Sequence, residues 1–183
     1  MQAKTYPRTI AITGESITFE GVVIEDGVEK AILKNNVKPN AGPPFHVHFL
    51  QDEGLTVRKG KLGYQVVGGK EKFAGPGESV QFDRGVGHRF WNAGDDNMEC
   101  DGWIKPAHNI EYFLTGIYAS MNKAGNPKGD LFDTAFLIRR YRKEFDMLVI
   151  PPFVKNIIMP LTVFIGKILG KYKHFKDAPP PAA

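Results

Sequence analysis

The chain has 183 residues, 42% of them hydrophobic and 24% charged, ordinary globular usage that excludes disorder and low complexity and suits one domain with an appendage. Its net charge of +4 is uneven. From Arg139 onward nine Lys and Arg face three Asp and Glu, a net of +6, which leaves residues 1–138 slightly acidic at −2. The basic residues are not interleaved on a nucleic-acid reading module, so no nucleic-acid partner is expected, and the single Cys100 excludes an intramolecular disulfide and points to a reducing, cytoplasmic compartment.

The polar stretch Met1–Arg8 lacks the apolar core of a signal peptide. From there to about Ile104, short runs rich in Val, Ile, Phe and Thr recur between turn signals, which predicts an all-β barrel or sandwich with antiparallel pairing. Asp26-Gly27 is a hairpin signal between Ser16–Ile24 and Lys30–Val37. Gly60-Lys61, Gly68-Gly69, Gly75-Pro76-Gly77 and Gly85-Val86-Gly87 punctuate the strands that follow.

After Pro106 the period changes. Ile110, Phe113, Leu114, Ile117, Tyr118 and Met121 share one helix face, with Asn109 as the expected N-cap and Gly125 past the end. Asp130 with Asp133 starts a second helix running to about Phe145, and Pro152 and Pro160 are placed to open two more. The last helix is expected to gather Leu161, Phe164, Ile165, Ile168, Leu169, Tyr172 and Phe175 on one face, with His174 towards solvent or lipid headgroups. Pro179-Pro180-Pro181 reads as a frayed end. The stretch Met147–Gly170 carries three prolines and two lysines, which disfavours a membrane-spanning helix and leaves open a surface-bound one.

His46-Val47-His48 puts two imidazoles on the same face of one strand, because side chains alternate with period two. Glu53 follows, and His88 begins a later strand. Imidazoles with one carboxylate suit a divalent transition metal such as Fe, Mn, Ni, Zn or Cu, and four protein ligands on an octahedral ion leave two positions for other molecules. Phe45, Tyr64, Phe90 and Trp103 are candidate walls for a substrate pocket, or core. Gln51 and Arg58 could reach a ligand or lie on the surface. A buried, inert thiol is expected at Cys100, and His108 is expected to be polarity at the start of a helix.

The spacing of Gly42, His46, His48, Glu53 and Gly60, followed by Gly77, Gly85, His88 and Asn92, resembles the two motifs of the cupin superfamily, in the small single-barrel form similar to quercetin dioxygenases. Two positions depart from it: Gly42 lies closer to His46 than the leading glycine of the motif, and Asp83 stands where the second motif has proline. The resemblance implies a mainly β fold, a double-stranded β-helix over residues 1–106, followed by a basic helical extension over 107–183. It implies that His46, His48, Glu53 and His88 hold one divalent metal, with Glu53 also able to act as a base. The function expected from this is a metal-dependent oxygenase acting on a small organic substrate. A non-catalytic small-molecule sensor is the alternative, and an isomerase with Glu53 as its base is a third. A homodimer is expected, with peripheral membrane contact through the C-terminal helix as a further reading.

Overall fold

Alternation of apolar and polar side chains turns most of the first two-thirds of the chain into strands. In the computed structural model residues 5–182 are described, so Met1–Lys4 of the polar N-terminus lie outside the described residues. The strands are β1 (Arg8–Ile12), β2 (Glu15–Glu25), β3 (Val28–Val37), β4 (His46–His48), β5 (Asp52–Lys59), β6 (Leu62–Val66), β7 (Lys72–Ala74), β8 (Ser79–Phe82), β9 (His88–Asn92), β10 (Met98–Lys105) and β11 (Phe145–Met147). The helices are α1 (Ile110–Ala124), α2 (Leu131–Arg140) and α3 (Met159–Ile168). One sheet has the order β1-β2-β3-β10-β5-β8 and the other β11-β4-β9-β6-β7, with every pair antiparallel. This is a double-stranded β-helix with C-terminal helices. The β2–β3 hairpin closes at Asp26 and Gly27, both with positive φ (53° and 76°), as a tight two-residue turn requires.

Two apolar cores pack on the sheets, and a third, smaller cluster of Ala135, Ile138 and Met159 joins α2 to α3. Between the sheets, Leu55, Val57, Leu62, Phe82, Phe90 and Met98 are buried. Farther along the larger sheet, Ile17, Phe19, Leu33 and Ile104 meet Phe113 and Tyr118 of α1, Leu137 of α2, Tyr141 and Phe145. The apolar stripe expected on α1 is therefore the face that packs. Each such Leu, Ile or Phe contributes about 1.5–3 kcal/mol by leaving water.

The helical region differs from expectation in five places. Helix α2 ends at Arg140 rather than near Phe145, because the amides of Glu144 and Phe145 bond to the Tyr141 carbonyl and turn the chain into β11, which pairs Phe145 with His48. Asn109 precedes α1 without capping it; its amide donates to Glu144 and to the Pro180 carbonyl instead. Pro160 does not start a separate helix. A π-helical turn, Val154–Ile158, runs directly into α3, and the Met159 amide bonds back to Val154, a wider turn that makes room for the proline ring. The Pro179–Pro181 tail is pinned: Arg140 donates to the Ala178 and Pro179 carbonyls, the Tyr141 hydroxyl to Pro179, and Glu144 accepts from the Ala182 amide. A proline segment suits this role, since it needs no donors of its own and loses little freedom on docking.

The fifth difference concerns α3. Its contact with α2 runs through Met159 and Val163, Thr162 and Gly166 are buried beside Tyr172, and Leu161, Phe164, Ile165, Ile168 and Leu169 are exposed. The stripe also breaks at Gly170 (φ 64°), beyond which Phe175 stacks on Phe136 and Tyr172 lies tilted against it, while His174, exposed as expected, also reaches Asp133 at 3.1 Å. Among the described residues no helix is long and apolar enough to cross a membrane.

Candidate metal centre

Three adjacent strands and one facing strand bring the chemistry together. In the smaller sheet β4 pairs with β9 at His46↔His88, and β11 pairs with β4 on its other side. Glu53 comes from β5 of the larger sheet, across the barrel. Buried residues alternate along β9, so His88, Phe90 and Asn92 point inwards while Arg89 and Trp91 point out.

The candidate donor atoms of His46, His48, Glu53 and His88 all lie within 4.8 Å of one another. Glu53 Oε2 is 3.1 Å from His88 Nε2, 3.7 Å from His48 Nε2 and 3.9 Å from His46 Nε2. His46 Nδ1 lies 2.8 Å from the Pro44 carbonyl and His88 Nδ1 2.9 Å from that of Val86. With Nδ1–H donating to these carbonyls, both rings present Nε2 to the cluster, the orientation that metal-binding histidines adopt. His88 is held flat by Phe82, stacked at 4.0 Å and 5°.

Electrostatics fit a dication. Burial pushes the Glu53 carboxyl up, but hydrogen bonding by His46 and His88 and the neighbouring imidazoles outweigh it and hold the group well below the usual carboxylate range. Burial pulls His48 down to about 3, against the attraction of Glu53, so its ring stays neutral. An ionised carboxylate with three imidazole Nε2 atoms 3.1–3.9 Å from it is a donor set that a dication would satisfy in place of the protons on those nitrogens. Donors at about 2.1 Å from one ion stand at most about 4.2 Å apart, so the cluster needs only a small contraction to close on one.

The four expected aromatic walls divide. Phe90 is buried in the inter-sheet core and Tyr64, half-buried, lies 6.1 Å from the Phe82 ring. Phe45 and Trp103 must be corrected: both lie on outer faces. Phe45 is half-buried and stacks under Arg89, which is also 4.7 Å from Trp91. Trp103 lies over Gly54 with Lys30 4.7 Å from its ring, because Gly102 and Ile104 take the inward positions of β10. Arg58 is exposed and paired with Asp101. Cys100 is buried, and burial raises its thiol to about 12, as an inert thiol requires.

Some interior polar groups carried no clear signal in the sequence. Gln51 is fully buried, and neither of its amide atoms has a hydrogen-bond partner among the described residues; the same holds for His48 Nδ1 and Asn35 Oδ1. Glu15 is buried on β2 with the inward parity of Ile17 and Phe19, the one signal that could have found it. Burial raises its carboxyl from 4.5 to about 7; the hydrogen bond from Tyr118 opposes this and the negative charge of Glu53 adds to it.

The folded chain thus keeps the Glu15 proton up to about pH 7, whereas the unfolded chain releases it near 4.5. Stability from this residue is complete below 4.5 and falls as pH rises through 7, by roughly 3 kcal/mol. In metal-free protein, Glu15→Gln is expected to remove most of that decline and to leave the variant more stable than the parent at pH 8. Urea unfolding at pH 5, 6, 7 and 8 measures this; parallel curves for parent and variant would refute it.

Residues 35–104 match the family model described as the cupin domain. An oxidoreductase, iacF of Pestalotiopsis fici, is 27% identical over 134 residues, which are 68% of this chain and 62% of that protein, so the chain spans less than two thirds of this relative. Among solved structures, KdgF from Halomonas sp. aligns with a TM-score of 0.47 at 14% identity, over 55% of this chain and 86% of its own. A sugar phosphate isomerase from Silicibacter pomeroyi aligns with a TM-score of 0.43 at 24% identity, over 50% and 59%.

Proposed function

Because residues 35–104 are a cupin domain, we propose that this chain is a metal-dependent oxidoreductase, an oxygenase acting on a small organic substrate bound inside the barrel. The observation that carries the reading is the buried cluster of three histidines and Glu53, with its carboxylate ionised. Similarity to an oxidoreductase supports the reaction class. His46, His48, Glu53 and His88 hold the ion, which when bound supplies Lewis acidity and access to redox chemistry.

The chain's own residues do the rest. Val86 and Pro44 fix two imidazole orientations through their carbonyls, and Phe82 keeps the His88 ring in plane. Glu53 Oε2, ionised and central, is the group able to take a proton from a bound hydroxyl or enol. Phe90 and Tyr64 supply apolar wall, and the unpartnered amide of Gln51, two residues before Glu53, offers a donor and an acceptor to a polar substrate.

The test is anaerobic loading with Fe(II), Mn(II), Ni(II), Zn(II) or Cu(II), followed by oxygen-uptake screening against phenolic, dicarbonyl and small carboxylic substrates. Uptake with at least one redox-active metal is expected, together with a loss of more than 100-fold in Glu53→Gln, since general-base groups contribute roughly 10²–10⁴-fold. Ligand-dependent thermal shifts with no uptake under any metal would replace this reading with a non-catalytic binding module.

A further inference from the structure

We propose that the C-terminal helical segment is a docking surface for an anionic membrane, which it meets lying flat. The inference stands apart from the oxygenase reading and rests on two independent features of one surface.

The first is an uncovered apolar face. From Pro152 to Ile168 the chain is one helical rod, about 25 Å long. Phe153, Ile157, Leu161, Phe164 and Ile168 lie along one side of it, each between 54% and 70% exposed, and Leu169 extends the strip. The opposite side is already taken up by α2, so rotation of the rod cannot bury this strip within the chain. Contiguous exposure on this scale is rare on a soluble monomer and marks a contact surface.

The second feature is charge. Between Met147 and Lys176 there are five lysines and no Asp or Glu. Lys155 is paired with Asp146 at 2.6 Å, but Lys167, Lys171, Lys173 and Lys176 are exposed and have no ion-pair partner among the described residues. Asp133 of α2 is occupied by Lys123 and His174, and the first acid after this lysine-rich stretch is Asp177.

This charge selects the occupant. A second copy on the same face would set lysine against lysine around the apolar strip, because a two-fold interface presents the same patch twice. Anionic headgroups complement it: the apolar side chains enter the headgroup boundary while the flanking lysines meet phosphates, as in interfacial helices.

The experiment is co-sedimentation of the full chain with vesicles of phosphatidylcholine alone and with 30% phosphatidylglycerol. Binding to the anionic vesicles is expected, at least 10-fold weaker to neutral ones and weaker again in 0.5 M salt. Phe164→Glu with Ile168→Glu is expected to abolish it, and replacement of Lys167, Lys171, Lys173 and Lys176 by Gln to weaken it more than 10-fold. All these sites are exposed, so metal content and melting temperature should stay at parent values and separate docking from folding. Equal binding to neutral and anionic vesicles, or no vesicle binding, would overturn the proposal. So would a lipid-free dimer in analytical ultracentrifugation that Phe164→Glu with Ile168→Glu turns into monomer.

Discussion

A His88→Ala variant is expected to lose more than 100-fold in affinity for a divalent metal. His88 contributes more to the cluster than its donor atom. It is 1% exposed, its Nδ1 is tied to the Val86 carbonyl, its Nε2 is the nitrogen nearest Glu53 Oε2, and its ring stacks on Phe82. Losing only the partners that orient a ligand costs roughly 10–100-fold, so losing the ligand itself costs more. Truncation also opens a cavity beside Phe82 and is expected to destabilise the metal-free chain by about 2–4 kcal/mol. His88→Gln, which refills most of that space, separates the two effects: it should recover most of the stability and little of the affinity. Competition against a chromogenic chelator gives the affinities and urea unfolding the stabilities. Parent-like affinity in both variants would remove His88 from the ligand set.

The largest loss of stability is expected from Gly42→Ala. Gly42 has φ 145°, outside the range that side chains adopt readily, and a Cβ there would stand 2.3 Å from the Phe90 carbonyl oxygen and 2.8 Å from Trp91 Cα. Both are backbone atoms of β9, so no rotamer change relieves the clash. The segment is also bonded to β9 at Asn92, through the Asn40 amide and the Ala41 carbonyl. Alanine must lift this segment off the strand that carries His88. Overpacking and backbone strain together cost about 3–5 kcal/mol, a fall of roughly 10 °C in melting temperature for a chain of this size. Gly77→Ala is the control: its φ of 88° is also unfavourable, but a Cβ there meets nothing within 4 Å, and about 1 kcal/mol is expected. Equal losses at the two positions, read by calorimetry, would show that conformation and not contact governs Gly42.

The candidate ligands were legible in two ways: His46 and His48 share a face whatever surrounds them, whereas Glu53 and His88 were singled out because their spacing, with Gly60, Gly77, Gly85 and Asn92, resembles the cupin motifs. Phe90 could be placed inwards because it shares the parity of His88. Trp103 could not, since alternation divides a strand into two sides without saying which is covered; Gly102 won the inward position on β10 because Leu55, Asn35 and Leu33 crowd it there. The partner of Glu15 was equally hidden, as Tyr118 lies a hundred residues on, in a helix laid against the same sheet.

By itself, then, the sequence determined the antiparallel β architecture, the four metal-ligand candidates and the gathering of positive charge after Arg139. The first follows from side-chain period, the second from donor chemistry together with the resemblance to the cupin motifs, and the third from counting. Only the tertiary structure decided that the proline tail is bound by Arg140, Tyr141 and Asn109, that residues 145–147 add a strand beside the histidines, and which side of α3 is left bare. The helix is apolar on both sides. Small residues, Thr162 and Gly166, let one side settle against its neighbours, and no hydropathy pattern ranks two apolar faces by how closely a neighbour can approach.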